Sequence, residues 1–179
     1  MFAQIYVEYP VAFFIIFNIL HAFTILSFFN FYLKEPYIAF PEPCQSLLLG
    51  YINEMENPYL KELMESFFVK DKDFIKAFKQ SSAAKTVHHG FVGGLLEHTL
   101  GVAKLCGYYC TAYPLLKKDL LISAAICHDI GKVKELSLFP ENDYTDDGQL
   151  LGHIVMGVEM VGEKINAIKG FPLFHPRCP

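Results

Sequence analysis

An all-α fold is what this sequence predicts, and two observations predict it. From Gln45 onward, apolar residues return every three or four positions in successive stretches, and the breaks between stretches fall at turn-forming pairs such as Asn57-Pro58 and Gly93-Gly94. The 179 residues make one domain of ordinary size, or one domain with an appendage, long enough to bury a core. A net charge of -4, with Arg177 as the single arginine, provides no broad basic field, so any contact with a polynucleotide has to be local. The five cysteines are an odd number, and Cys106, Cys110 and Cys127 lie in apolar helical context, which reads as reduced thiols in a cytosolic protein. Cys106 and Cys110 can share a helix face, but no second cysteine pair accompanies them to complete a zinc site.

Residues 1–43 form an apolar N-terminal segment. The 25 residues between Glu8 and Lys34 carry no charge, which is long enough to span a bilayer. Pro10 and the scattered polar residues Asn18, His21, Thr24, Ser27 and Asn30 stand against a simple span. The segment also lacks the basic start and the small-residue cleavage site of a secretory signal. Three readings stay open for residues 9–33: a membrane span with the rest of the chain on the cytoplasmic side, apolar sequence read from AT-rich DNA outside its proper frame, and a buried helix. The proline-rich stretch KEPYIAFPEPC then separates this segment from a helical domain over residues 44–179.

Within that domain, Leu48, Ile52 and Met55 make a first amphipathic stripe, and Leu60, Leu63, Met64 and Phe67 make a second that starts after Asn57-Pro58. A short helix over 71–79 ends in the loop QSSAAKTVHHG. After Gly93-Gly94 a longer helix aligns Leu95, His98, Val102, Leu105 and Tyr109, and the helix over 119–128 aligns Leu121, Ala125 and His128. ELSLFPENDYTDDGQLLG reads as a turn or small hairpin, with Asp147-Gly148 as a tight turn. A last helix from about Gly152 carries the stripe Ile154, Val158, Val161, Ile165 and Ile168, with His153 on its flank.

Three helices thus bring a histidine to or near their inward face, and one of those histidines precedes an aspartate. A lone histidine on an apolar face is ordinarily a core residue bonded to backbone. Imidazoles from separate helices that share one carboxylate make a divalent-metal site instead, because the cation offsets the cost of burying Asp129 and holds the histidines neutral. His98, His128, Asp129 and His153 are the candidate ligands. Mixed imidazole and carboxylate donors suit Mn, Fe, Zn or Ni alike.

The blocks HHGFVGGLLEHT, AAICHDIGKVKEL and YTDDGQLLGHIVMGVEMV closely resemble the HD-domain metal-dependent phosphohydrolase superfamily, and within it the YhaM-type 3'-5' exoribonucleases, over about residues 46–172. The resemblance implies an HD-domain helical bundle. It makes His98 the first ligand histidine, His128 and Asp129 the HD pair with Asp129 the candidate bridge between two ions, and His153 a ligand of the second ion. It sets Lys132 beside the scissile phosphate; a solvated lysine closing a helix is the plainer reading. His88 and His89 match a histidine pair ahead of the glycine turn, as turn-stabilising groups or as substrate contacts. Asp129 and Lys132 are therefore the catalytic candidates, and Lys132 and His89 the substrate-binding ones.

The function so implied is hydrolysis of phosphodiester bonds by metal-activated water, at the 3' end of single-stranded RNA or DNA, with Mn the metal the resemblance points to and oligomers a family trait. Two departures qualify it. Residues 1–43 lack the alternating strands of the OB fold that precedes the HD domain in that family. The chain ends at LFHPRCP, where the family continues to another histidine pair and a final aspartate, and His175 among prolines is no substitute. The bundle is thus expected to be incomplete at both ends. The alternative reading is a non-catalytic HD-fold remnant, or a metal-binding or regulatory module tethered to a membrane.

Overall fold

A computed structural model of the chain describes residues 41–85 and 89–172, the side chains of 41–43 excepted. The expectations for residues 9–33, for His88 and for His175 lie outside the described residues. The described residues are helical, with one isolated antiparallel bridge, Leu136 to Tyr144, in place of any longer strand. Among them no helix is long and apolar enough to cross a membrane.

Helix α1 (Pro41–Asn53) buries Leu48 and Ile52, and Met55 continues the stripe just past its end. Asn57 then caps α2 (Pro58–Glu65), its side-chain oxygen accepting from the backbone N–H groups of Tyr59 and Leu60 at 3.0 and 3.1 Å, with Pro58 in the first turn where its missing N–H costs nothing. A π-helical turn, Ser66–Lys70, prolongs α2. Asp71 caps α3 (Lys72–Gln80) by accepting from the Phe74 N–H at 3.0 Å. Phe67, Phe68, Phe74 and Phe78 pack edge-on or tilted with centroids 5.1 to 6.3 Å apart, contacts that each add about 1 kcal/mol beyond burial.

Two helices form the centre. In α4 (Gly94–Ala112) Leu95 and Val102 are buried as expected, but Leu105 and Tyr109 are only half-buried. The inward face instead runs through Leu96, Thr99, Ala103 and Cys106, because α1 and α3 on one side and α5 on the other cover a face wider than one stripe. Helix α5 (Lys118–Cys127) buries every residue from Leu121 to Cys127, so it is a core helix and not the one-sided element its stripe implied. Its Asp119 carboxylate accepts from the N–H groups of Glu56 and Asn57 at 2.8 and 2.7 Å and so pins its start to the α1–α2 turn.

The short α6 (Lys132–Glu135) follows directly, and α7 (Asp146–Ala167) closes the bundle through Lys164, whose ammonium reaches the Asp71 carboxylate at 2.7 Å. Two expectations are corrected here. Asp147-Gly148 is the first turn of α7 and no tight turn, because the Thr145 hydroxyl accepts from the Gly148 N–H at 2.9 Å and starts the helix there; Gly152, at φ 70°, then breaks it. Nor are Ile154 and Val158 buried: they stand 61% and 40% exposed, while Met156, Met160 and Val161 face inward. The packed face of α7 is phased by Gly157, which lies against the backbone of Gly131, and a count of apolar side chains does not register a residue without one.

Candidate metal centre

The site lies where α5 ends. His128 is its C-cap, and its Nδ1 stands 2.7 Å from the carbonyl oxygen of Ala125. A carbonyl only accepts, so Nδ1 carries a proton, and in the neutral ring the lone pair is then on Nε2. That Nε2 lies 3.2 Å from Nε2 of His98, which α4 delivers, and 3.2 Å from Oδ2 of Asp129. His98 Nε2 is 3.4 Å from the same oxygen. Ligand atoms of His98, His128 and Asp129 all lie within 4.8 Å of one another, a group that can hold a metal ion.

Electrostatics suit that use. Burial, and then the neighbouring His128, push His98 down to about 3, so its imidazole is neutral throughout the physiological range and its lone pair is available. Asp129 is 5% exposed. Burial alone would favour its neutral form, but His128, Lys132 and His98 together outweigh that and hold the carboxyl well below the usual carboxylate range. A buried ionised carboxylate facing the neutral His98 imidazole fits a divalent cation.

The two oxygens of Asp129 have different company. Oδ2 faces His98, His128 and the Lys132 ammonium, the last at 2.7 Å, whereas Oδ1 faces Nε2 of His153 at 3.5 Å. Lys132 also donates to the carbonyl of Ala83 at 2.8 Å, and its side chain is 16% exposed. It is therefore a partly buried group held at the site, and the solvated reading fails. His89 lies at the edge, its ring centroid 5.5 Å from that of His98 and its backbone at φ 58°. Gly93, at φ 85°, and Gly94, where a Cβ would come within 1.9 Å of the His89 carbonyl oxygen, let this loop fold onto the start of α4.

Two residues that sequence reasoning missed hold these parts in place. Asn142, buried in the loop before α7, accepts from the Ser82 hydroxyl and donates to the carbonyls of Ala84 and Lys85 at 3.2 and 2.8 Å, anchoring the strip of chain that carries the Ala83 carbonyl. Glu135, also buried, accepts through Oε1 from the backbone N–H of His153 at 3.0 Å, and the same oxygen lies 2.9 Å from His153 Nδ1. Neither stood at a spacing that marks a ligand.

The fold and the site together define a helical domain in which a group of two histidines and an aspartate could hold a metal ion. Residues 95–169 match the family model of the HD domain, and the chain carries an HD domain there. It is similar to the 3'-5' exoribonuclease YhaM of Halalkalibacterium halodurans, at 38% identity over 128 residues, 72% of this chain and 39% of that protein. It is likewise similar to the 3'-5' exoribonuclease YhaM of Oceanobacillus iheyensis, at 37% over 118 residues (66% of this chain, 36% of that protein), and of Bacillus subtilis, at 42% over 104 residues (58% and 32%). The chain thus spans about a third to two fifths of the length of these curated relatives. No solved structure matches significantly.

Proposed function

We propose that this chain carries the catalytic centre of a metal-dependent phosphodiesterase that removes nucleotides from the 3' end of single-stranded RNA. The convergence of His98 Nε2, His128 Nε2 and Asp129 Oδ2 is the observation that carries it. The names of the curated relatives support the polarity and the class of nucleic acid. His98, His128 and Asp129 would hold the ion, with His153 and Asp129 Oδ1 facing a second position. Imidazole and carboxylate donors accept Mn, Fe, Zn or Ni, and Mn²⁺ is the ion to test first. Such a cation, when bound, makes hydroxide available near neutral pH and offsets charge on phosphoryl oxygens.

The protein's own groups do the rest. The Ala125 carbonyl fixes the His128 tautomer, burial keeps His98 unprotonated, and Lys132, steadied by the Ala83 carbonyl, sets a positive charge where the phosphoryl group would lie. No side chain here needs to act as nucleophile, since water does. His89, whose ring lies beside that of His98, would touch the terminal nucleotide. One observation favours a second reading, a metal-free structural centre: the 2.7 Å pair between Lys132 and Asp129 already gives the buried carboxylate a cation.

The decisive experiment incubates 5'-labelled single-stranded RNA with the protein and Mn²⁺. The expected product is a ladder shortening from the 3' end, blocked by a modified 3' terminus and absent for Asp129→Ala. Full-length RNA after prolonged incubation, or a ladder unchanged in Asp129→Ala, would overturn the proposal.

A further inference from the structure

Glu135 does more than its burial requires. Its backbone is fixed first: the carbonyl accepts from the Thr145 N–H at 2.9 Å and from the Thr145 hydroxyl at 3.3 Å, and a Cβ on Gly148 would come within 2.3 Å of that same carbonyl oxygen. Its carboxylate is fixed next. Where Gly152 breaks α7, the restarting helix has an N–H with no partner of its own, and that N–H, on His153, bonds Glu135 Oε1. The ring of the same residue then lies with Nδ1 2.9 Å from Oε1 and Nε2 3.5 Å from Asp129 Oδ1.

A carboxylate accepts and never donates while ionised, so a neutral imidazole bonded this way must carry its proton on Nδ1. The bare lone pair then sits on Nε2, the atom turned to Asp129. Without Glu135, Nε2–H would be free to bond Asp129 Oδ1 directly, and no lone pair would face the carboxylate. Gly131 tightens the arrangement, since a Cβ there would meet the His153 carbonyl oxygen at 2.0 Å, so α6 and α7 are in backbone contact at this point.

We infer that Glu135 is a positioning residue which sets the tautomer and ring orientation of His153, so that its Nε2 lone pair and Asp129 Oδ1 face one another as a second donor pair. This inference rests on the metal-centre reading above for its use, but not for its geometry. Carboxylates behind ligating histidines fix tautomers in this way, and their loss typically weakens metal binding ten- to a hundredfold.

The test reads the tautomer itself. Long-range proton–nitrogen NMR spectra of ¹⁵N-labelled, metal-free full chain at about pH 8.5, two units above the ordinary imidazole value, report which ring nitrogen of His153 is protonated. Wild type is expected to show Nδ1–H. Glu135→Ala is expected to lose it, and Glu135→Gln, whose amide oxygen still accepts, to restore it. A residue serving only as a helix cap would leave the tautomer unmoved. Nε2–H in wild type overturns the inference even if Glu135→Ala does not fold, and so does Nδ1–H retained in a folded Glu135→Ala. Titration with Mn²⁺ separates the two readings: an altered tautomer with unchanged Mn²⁺ affinity would sink His153 as a ligand while leaving Glu135's hold on the ring intact.

Discussion

Replacing Asp129 by Ala or Asn tests the metal centre most directly, because among the described residues the His98, His128 and Asp129 group contains this one carboxylate. Two unit charges 4 Å apart attract by about 1 kcal/mol in bulk water. A doubly charged ion at a ligand distance of about 2 Å doubles the charge and halves the separation, giving about 4 kcal/mol, or about a thousandfold in Kd. Asp129 is buried, which strengthens this attraction while the desolvation of both charges opposes it. The Lys132 ammonium, 2.7 Å from Oδ2 in the wild type, would remain beside the ion with no carboxylate to balance it and would weaken binding further. Calorimetric titration with Mn²⁺ on wild type and both variants, with thermal unfolding as a check that each is folded, measures the loss. Retention of wild-type affinity within tenfold by folded Asp129→Ala would refute the reasoning and leave the HD pair as a structural feature.

Lys132→Met removes the charge that competes for Asp129 Oδ2; repulsion between one and two charges at about 4 Å amounts to about 2 kcal/mol in water, so Mn²⁺ binding is expected to tighten by about thirtyfold while RNA hydrolysis falls. Weaker binding would contradict it. His98, held at about 3 in the fold and at about 6.5 when unfolded, binds its proton more readily in the unfolded chain, so its contribution to stability is complete above pH 6.5 and is lost as pH falls toward 3. Urea unfolding in chelator should register about 2 kcal/mol of that loss between pH 6.5 and 5, and His98→Gln should flatten the slope; equal slopes would count against a buried neutral His98. Gly131→Ala would drive a Cβ to 2.0 Å from the His153 carbonyl oxygen, and backbone cannot yield as a side-chain tip can. The expected result is an unfolding free energy, measured in urea, lower by about 1 to 3 kcal/mol, together with weaker Mn²⁺ binding.

The starts of the helices were legible because their chemistry is local. Asn57-Pro58, Asp71 and Gly93-Gly94 each announce a helix through groups within three residues, and the structure begins α2, α3 and α4 there. What failed was phase, and for one reason: phase is set by the neighbour. Helix α5 is covered all round, and α7 turns to bring Gly157 against Gly131, so Ile154 and Val158 face outward despite their side chains. The start of α7 failed differently, since Asp147-Gly148 suits a tight turn and a helix's first turn equally, and Thr145, bonded across to Glu135, decides between them.

The same division runs through the site. That His98, His128 and Asp129 come together could be expected from the sequence because imidazoles and carboxylates stand out on apolar faces, and a resemblance spaced them. Glu135 could not, because it sits in the charged run Lys132-Val133-Lys134-Glu135, which in one dimension reads as a solvated face. Its inward turn depends on three things no local pattern carries: a Thr145 bond to its carbonyl, a break at Gly152, and the N–H that this break releases. Asn142 is hidden likewise in a polar loop, and its partners lie 57 to 60 residues away. Candidate binding groups can thus be read from residue type, whereas the groups that orient them are chosen by contacts between distant segments. Asp129 shows the consequence: its identity is plain in the sequence, but the division of its two oxygens between a His98–His128–Lys132 side and a His153 side exists only once α4, α6 and α7 have met.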